Sequence, residues 1–169
     1  MHSRVRSRQI QTEAEGYLDL GMPYHALEAL DRLGGPEHFG SHSLFLQGEA
    51  LRELGRYLEA VVPLERAAQI APSNVQIWLS LGWCQKRLGR IHRAVDTMEQ
   101  AVAAKPELPI VHYNLACYLS LLGKKNRALI HLAEALILDP EYRDLIDAER
   151  DFDPIRDDAQ FQAITSIIV

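Results

Sequence analysis

Apolar residues recur at three- and four-residue steps along the middle of the chain and mark two successive amphipathic helices. The first run extends from Ile77 to Leu88, and the second extends from Ile91 to Val102. Gly89 lies between the two runs, and glycine readily adopts the left-handed conformation in which many helices end. Pro106 follows the second run, and the residue before a proline is disfavoured in a helix. The pattern therefore predicts an antiparallel pair of helices joined by a short turn.

The same pattern recurs with a period of thirty-four residues in three copies. The small residues and the proline of the middle copy are Gly82, Gly89, Ala94, Ala101 and Pro106. The preceding copy has Gly48, Gly55, Ala60, Ala67 and Pro72, and the following copy has Ala116, Gly123, Ala128, Ala135 and Pro140. A fourth, degenerate copy fits Ala14, Tyr17, Gly21, Ala26 and Leu30. Because one helix pair cannot bury both of its apolar faces, consecutive copies are expected to stack.

The middle copy contains a block made of Trp78, Leu81, Gly82, Ala94, Met98 and Pro106. This block resembles the tetratricopeptide repeat, with Gln85 and Met98 in place of the usual aromatic residues. The resemblance implies an all-α fold, a right-handed α-solenoid of about four helix-turn-helix repeats in a single domain spanning residues 1–169. The repeats are expected at residues 7–40 (degenerate), 41–74, 75–108 and 109–142, followed by a C-terminal helical cap at 143–169.

The repeat phase is lost after Pro140, and the residues that follow predict short terminal helices. An apolar edge that is expected to cover the last repeat consists of Phe152, Ile155, Phe161 and Ile164. Residues 139–158 are rich in aspartate but lack the mid-loop glycine and the closing glutamate of an EF-hand. His112 and His131 lie within one repeat without a third ligand in register, which favours structural histidines over zinc ligands. No metal site is therefore expected.

The composition limits the class of function. The formal net charge of -5 disfavours binding to nucleic acid, whose backbone is anionic. Cys84 and Cys117 have no pairing or metal-binding spacing, so they are expected to be reduced thiols in or near the core. No apolar run resembling a signal peptide or a membrane span occurs, and a cytoplasmic protein is therefore expected. Because no phosphate-binding loop, nucleophile motif or metal motif occurs, the chain is expected to be non-catalytic and to need no cofactor.

The resemblance also implies which residues line a concave groove, because one stripe of each first helix faces that groove in the family. Successive helical residues are rotated by about 100°, so this stripe is distinct from the one that packs between helices. The candidate groove residues are Phe45, Glu49, Arg52, Gln76, Leu79, Trp83, Lys86, Arg87, Tyr113, Asn114 and Cys117. Glu15, Leu18 and His42 lie in the same phase. Trp83 is equally compatible with the groove and with packing between repeats.

These candidates predict a surface that binds another protein. Phe45, Leu79 and Tyr113 occupy one phase and are expected to form a row across the repeats. The ninth positions of the repeats contain no asparagine, which argues against the clamp on a terminal carboxylate that some relatives use. We expect a module that binds a peptide or helical segment of a partner in its groove and scaffolds a complex. The alternative is a dedicated chaperone that shields an apolar segment of a client protein.

Overall fold

The structure is a computed structural model that describes residues 2–166, including all of their side chains except those of residues 2–4 and 36. Within these residues the regular secondary structure is α-helical or 3₁₀-helical, without a strand. None of the described helices is long and apolar enough to cross a lipid bilayer. The chain divides into two compact units, Met1–Leu88 and Gly89–Val169.

The first unit contains the helices of the first two predicted repeats and the first helix of the third. In the described residues these helices are α1 (His2–Asp19), α2 (Pro23–Asp31), α3 (Ser41–Glu53), α4 (Tyr57–Ile70) and α5 (Val75–Arg87). A 3₁₀ turn at Pro36–His38 lies between α2 and α3. Helix α1 packs on α2 and on α3, and α3 packs on α4, which in turn packs on α5. Helix α1 begins at His2 and therefore extends the first predicted repeat toward the amino terminus.

The second unit contains, within the described residues, three longer helices and a C-terminal segment of short helices. Its α-helices within the described residues are α6 (Ile91–Ala104), α7 (Pro109–Leu121), α8 (Lys125–Leu138), α9 (Arg143–Ile146) and α10 (Ala159–Ser166). Two 3₁₀ helices, Pro140–Tyr142 and Arg150–Ile155, flank α9. Helix α7 packs on α6, on α8 and on the second of these 3₁₀ helices. This arrangement places the C-terminal segment against the first helix of the last predicted repeat.

Glycines in the left-handed conformation end the first helix of each repeat. They are Gly21, Gly55, Gly89 and Gly123, with φ angles between 66° and 74°. The N–H of Gly55 donates to the carbonyl of Arg52 at 3.0 Å, and the N–H of Arg56 donates to the carbonyl of Leu51 at 2.9 Å. This pair of bonds is a Schellman motif, which satisfies carbonyls that the helix end would otherwise leave unpaired. The same pair recurs after α1 and after α7, so the regular spacing of glycines in the sequence sets the spacing of the turns.

The core of the first unit includes a close approach of α3 and α4 at Gly48. A β-carbon on Gly48 would lie 2.5 Å from Cγ of Leu64, which is fully buried. Leu64 belongs to a buried cluster that also contains Leu51, Ala60, Val61, Leu81 and Cys84. The small residue on α3 therefore allows the two helices to approach each other at this point, as the repeated small residues predict.

The C-terminal segment of the second unit packs through aromatic residues. Phe152 is fully buried, and its ring centroid lies 5.6 Å from that of Tyr113 on α7 and 5.6 Å from that of Phe161 on α10. Nζ of Lys125 on α8 donates to Oδ2 of Asp158 at 2.7 Å. Of the other residues in the predicted apolar edge, Ile155 is buried and Ile164 is half-buried. The segment thus covers α7 and part of α8.

Candidate functional site

The predicted groove residues differ in their exposure. In the first unit Phe45, Glu49, Arg52, Leu79, Trp83 and Lys86 are half-buried, and Gln76 and Arg87 are exposed. In the second unit Asn114 is half-buried, and Tyr113 and Cys117 are buried. Of these first-unit residues, Phe45, Glu49, Arg52, Trp83 and Arg87 contribute to two adjoining surfaces, one between α1 and α3 and one between α3 and α5.

Side chains of α1 and α3 enclose a cleft of about 270 Å³, which we call the acidic cleft. Its lining consists of Glu15, Leu18, Asp19, His42, Phe45, Leu46, Glu49 and Glu53. Leu18, Phe45 and Leu46 supply apolar surface, and the four carboxylates supply negative charge. Phe45 and Glu49 are candidate groove residues from the sequence, so the structure brings part of the predicted stripe to one concave site.

Two of the four carboxylates in the acidic cleft already have a partner. Oε1 of Glu15 lies 2.7 Å from Nε2 of His42. Glu49 accepts two hydrogen bonds from the guanidinium of Arg52, at 3.0 Å and 2.9 Å, and this bonding raises the pKa of Arg52. Asp19 and Glu53 form no ion pair with any residue in the part of the chain that the structure describes. The cleft therefore keeps an excess of negative charge.

Arginine and aromatic side chains form a second surface, which we call the cation–aromatic cluster (Arg52, Tyr57, Trp83 and Arg87). The guanidinium carbon of Arg52 lies 5.3 Å from the ring centroid of Trp83. That of Arg87 lies 5.6 Å from the ring centroid of Trp83 and 5.4 Å from that of Tyr57. These distances fall within the range of cation–π attraction. Because Arg52 also bonds Glu49, the cluster adjoins the acidic cleft.

Trp83 contributes both to the core and to the cation–aromatic cluster. Its half-buried ring packs against the cluster of buried residues around Leu81 and Cys84 and meets the ring of Tyr57 edge to face at 5.3 Å. Burial raises the pKa of the Cys84 thiol to about 11, so this thiol is protonated and unreactive at neutral pH. Trp83 therefore packs on the core with part of its ring and leaves the rest accessible, and its assignment to a binding groove stays a prediction.

Tyr113 and Cys117 lie beneath the C-terminal segment. The Tyr113 ring centroid is 5.2 Å from that of Tyr142 and 5.6 Å from that of Phe152. Its hydroxyl is buried without a hydrogen-bond partner among the described residues, and burial raises the pKa of this phenol. In this structure neither residue presents a surface on which a partner could dock.

One thiol and two carboxylates could together hold a metal ion in the second unit. Cys117, Glu149 and Asp151 each offer a ligand atom, and these atoms lie within 4.8 Å of one another. Sulfur and carboxylate oxygens are ligands that zinc accepts. Oε1 of Glu149, however, accepts a hydrogen bond from the backbone N–H of Asp151 at 3.1 Å, so this carboxylate has a structural role without a metal. The grouping depends on the packing of the C-terminal segment and was not expected from the sequence.

The structure brings His112 and His131 into direct contact. Nε2 of His112 lies 2.8 Å from the carbonyl oxygen of Pro106, which can only accept, so Nε2 carries a proton. The Nδ1 atoms of the two rings are 3.0 Å apart. Neutral His112 therefore accepts at Nδ1 from the Nδ1–H of His131. Burial, and next the proximity of His112, lower the pKa of His131.

The free energy of unfolding is expected to decrease as the pH is lowered, and His131 is expected to cause part of this decrease. Because the folded pKa lies below the unfolded value of about 6.5, the unfolded chain takes up the proton first as the pH falls. The free energy of unfolding then decreases as the pH drops below that value, until the folded pKa is passed. The variant His131→Gln is expected to show a weaker dependence of the free energy of unfolding on pH. Near pH 8 its free energy of unfolding should be lower by about 0.5–1.5 kcal/mol, because the hydrogen bond to His112 is lost. Urea unfolding at a series of pH values measures both effects.

The matched control for this experiment is His92→Gln, because His92 is exposed on α6. This variant should keep the pH dependence of the parent chain. Equal slopes in the parent and in His131→Gln would contradict the role assigned to His131.

Four residues that belong to these surfaces were not among the candidates predicted from the sequence, namely Asp19, Leu46, Glu53 and Tyr57. A signal for two of them was present. Asp19 and Glu53 occupy the same repeat position, one helical turn beyond Glu15 and Glu49, which also share a position. In the next repeat, Arg87 stands where Glu53 stands in this one. Charge at equivalent positions therefore changes sign between the repeats.

Comparison with known sequences supports the repeat assignment for the middle of the chain. A sequence model of the family described as "Tetratricopeptide repeat" matches residues 51–116. The curated protein sequences contain no match to the chain.

Solved structures of helical repeat proteins are similar to the chain. A double mutant of MamA RS-1 has a TM-score of 0.75 and 21% identity, and the match covers 95% of this chain and 90% of that one. MamA from Desulfovibrio magneticus RS-1 has a TM-score of 0.70 and 20% identity, with 94% and 93% covered. YrrB, a TPR protein with an unusual peptide-binding site, has a TM-score of 0.71 and 18% identity, with 81% and 71% covered. The predicted fold class, all-α with helix-turn-helix repeats and a C-terminal helical element, is confirmed.

Proposed function

We propose that this chain, which is similar to tetratricopeptide repeat proteins over residues 51–116 and in its fold, is a non-catalytic cytoplasmic module that binds a segment of a partner protein and scaffolds a complex. Proteins with this fold are in general protein-interaction modules. The observation that carries the proposal is the contact between the acidic cleft and the cation–aromatic cluster through the Glu49–Arg52 ion pair. YrrB, which has a similar fold, has a peptide-binding site.

The composition of the two surfaces is that of a protein interface. Tryptophan, tyrosine and arginine dominate the residues that contribute most of the binding free energy at interfaces. The cation–aromatic cluster is made of these three residue types, and its members are half-buried or exposed. Phe45 and Leu18 in the acidic cleft add apolar area beside polar groups. A peptide or helical segment of a partner could therefore bury apolar surface while its polar groups meet charges at the rim.

The charge of the acidic cleft favours a scaffold over the alternative of a chaperone for apolar segments. A chaperone of that kind needs a broad apolar surface. The cleft instead surrounds three apolar side chains with four carboxylates, two of which have no ion pair among the described residues. Such a site selects a defined, charged segment because desolvated charges without a partner are unfavourable.

Site-specific photo-crosslinking tests the proposed function. A benzoylphenylalanine at position 42, in the acidic cleft, should crosslink a partner protein in cells that produce the chain. The same group at position 24 is the control, because Tyr24 is 64% exposed on α2 and does not line the cleft. A crosslinked partner at position 42 that is absent at position 24 supports the proposal. No adduct at position 42, or the same adducts at both positions, contradicts it.

A further inference from the structure

We propose that the acidic cleft receives a lysine or arginine side chain of the partner segment. This inference rests on the proposed function and adds the chemistry of the partner. The cleft volume of about 270 Å³ lies just below the range of about 300–1,000 Å³ for ligand pockets. The site therefore fits one long side chain better than a whole folded element.

The charges around the cleft are complementary to a cation. Glu15, Asp19, Glu49 and Glu53 surround it. Asp19 and Glu53 have no ion pair among the residues that the structure describes. Glu15 and Glu49 are paired with His42 and Arg52, so the excess negative charge comes from Asp19 and Glu53. A concave site with an excess of one sign of charge concentrates the electrostatic potential and attracts the opposite charge. An acidic side chain in the same place would meet like charges, which disfavours its binding.

Helix geometry adds to the same preference. Asp19 is the last residue of α1, and Glu53 is the last residue of α3. The C-terminal end of a helix carries partial negative charge, so a carboxylate there is unfavourable for the helix, whereas a cation nearby is favourable. The carboxylates of Asp19 and Glu53 therefore do not stabilise the helices that they end. A cation bound in the cleft would reduce the repulsion between each carboxylate and the negative end of its helix.

The apolar part of the cleft matches the stem of a long basic side chain. Lysine and arginine lay their methylene groups along apolar surface and keep the charged head near polar groups. Leu18 and Phe45 are half-buried and Leu46 is buried, which leaves part of this apolar surface available. The cleft thus offers apolar contacts and carboxylates to the same side chain, a combination that an inorganic cation does not use.

Selection from a library of random displayed peptides tests this inference with the full chain. Peptides selected by the parent chain should be enriched in lysine and arginine. The enrichment should disappear with the double variant Asp19→Lys/Glu53→Lys. The control is Glu28→Lys/Asp31→Lys on α2, which changes the net charge equally at exposed positions outside the cleft, and it should retain the enrichment. Both double variants are expected to melt at or above the temperature of the parent chain, because three of the four lysines lie at helix C-terminal ends.

A direct affinity measurement completes the test. In the peptide selected most strongly, replacing the basic residue with norleucine keeps the stem and removes the charge, and the Kd should rise by about tenfold or more. The difference should shrink as added salt shortens the Debye length from about 10 Å to about 3 Å. Selection of peptides without a basic preference, or the same preference in both double variants, would overturn the inference while the proposed function stands. Selection of no peptide by any of the three proteins would contradict both.

Discussion

Replacing Phe152 with alanine is expected to lower the free energy of unfolding by about 3–5 kcal/mol, the usual effect of removing a buried aromatic ring. The ring is fully buried in the second unit, with its centroid 5.6 Å from that of Tyr113 and 5.6 Å from that of Phe161. Its removal leaves a cavity between α7 and α10, and the surrounding rings are too rigid to fill it completely. Urea unfolding followed by circular dichroism measures the loss.

The control for Phe152→Ala is Leu145→Ala in the same C-terminal segment. Leu145 is 51% exposed, so its truncation should change the free energy of unfolding by no more than about 0.5 kcal/mol. A loss in Phe152→Ala as small as that in Leu145→Ala would contradict the packing of the segment on α7. It would also remove the reason why Tyr113 and Cys117 are inaccessible.

Replacing Gly48 with alanine is expected to destabilise the first unit, although alanine is the better helix former. Within α3 the higher helix propensity of alanine would contribute about 0.5–1 kcal/mol of stability. The new β-carbon would lie 2.5 Å from Cγ of the fully buried Leu64, and overpacking of this kind reduces stability by about 1–3 kcal/mol. The steric effect is the larger of the two, so a net loss is expected in chemical unfolding.

Two further variants separate packing from helix propensity. Gly16→Ala on α1 is the matched control, because no atom lies within 4 Å of the added β-carbon, and it should gain about 0.5–1 kcal/mol. The double variant Gly48→Ala/Leu64→Ala should lose less than the sum of the two single losses, because the alanine at 48 occupies part of the cavity left at 64. Additive losses, or a gain in Gly48→Ala as large as in Gly16→Ala, would show that α3 and α4 do not approach each other at Gly48.

The accessible candidate residues lie mainly in the first unit, so the binding surface is proposed there. Tyr113 and Cys117 share the stripe of Phe45 and Trp83 in the sequence, but they are buried in the second unit. The described surfaces with unpaired charge and half-buried aromatic rings lie in the first unit, on α1, α3 and α5. The proposed partner segment is therefore assigned to the acidic cleft and the cation–aromatic cluster.

Much of the local structure followed from short stretches of sequence. Gly55 and Gly123 end helices because a positive φ angle is easily accessible only to glycine. Their spacing in the sequence predicted the period at which the helical hairpins repeat. Gly48 and Ala60 predicted close packing of their helices, because small residues repeated in register leave room for a neighbouring helix. Glu49 and Arg52 were assigned to the groove by their helical phase together with the family resemblance, and Glu49 lines the acidic cleft.

Contacts between side chains of different helices could not be predicted from the sequence. The pairing of Glu15 with His42 joins two helices, and so does the stacking of Arg52 on Trp83. Helical phase assigns a residue to a face of its own helix but does not identify the side chain that meets it there. Cys117, Glu149 and Asp151 lie together for the same reason, since two of them belong to the segment that follows the repeats.

The sequence by itself determined the helices, their turns and the period at which they repeat, because glycine conformation, proline and helical periodicity act within a few residues. Only the tertiary structure decided which residues of the shared stripe are accessible. Exposure depends on what packs against a residue, and Phe152 covers Tyr113 from a position far along the chain. The charge of the acidic cleft likewise became evident only when α1 and α3 brought Asp19 and Glu53 to one site.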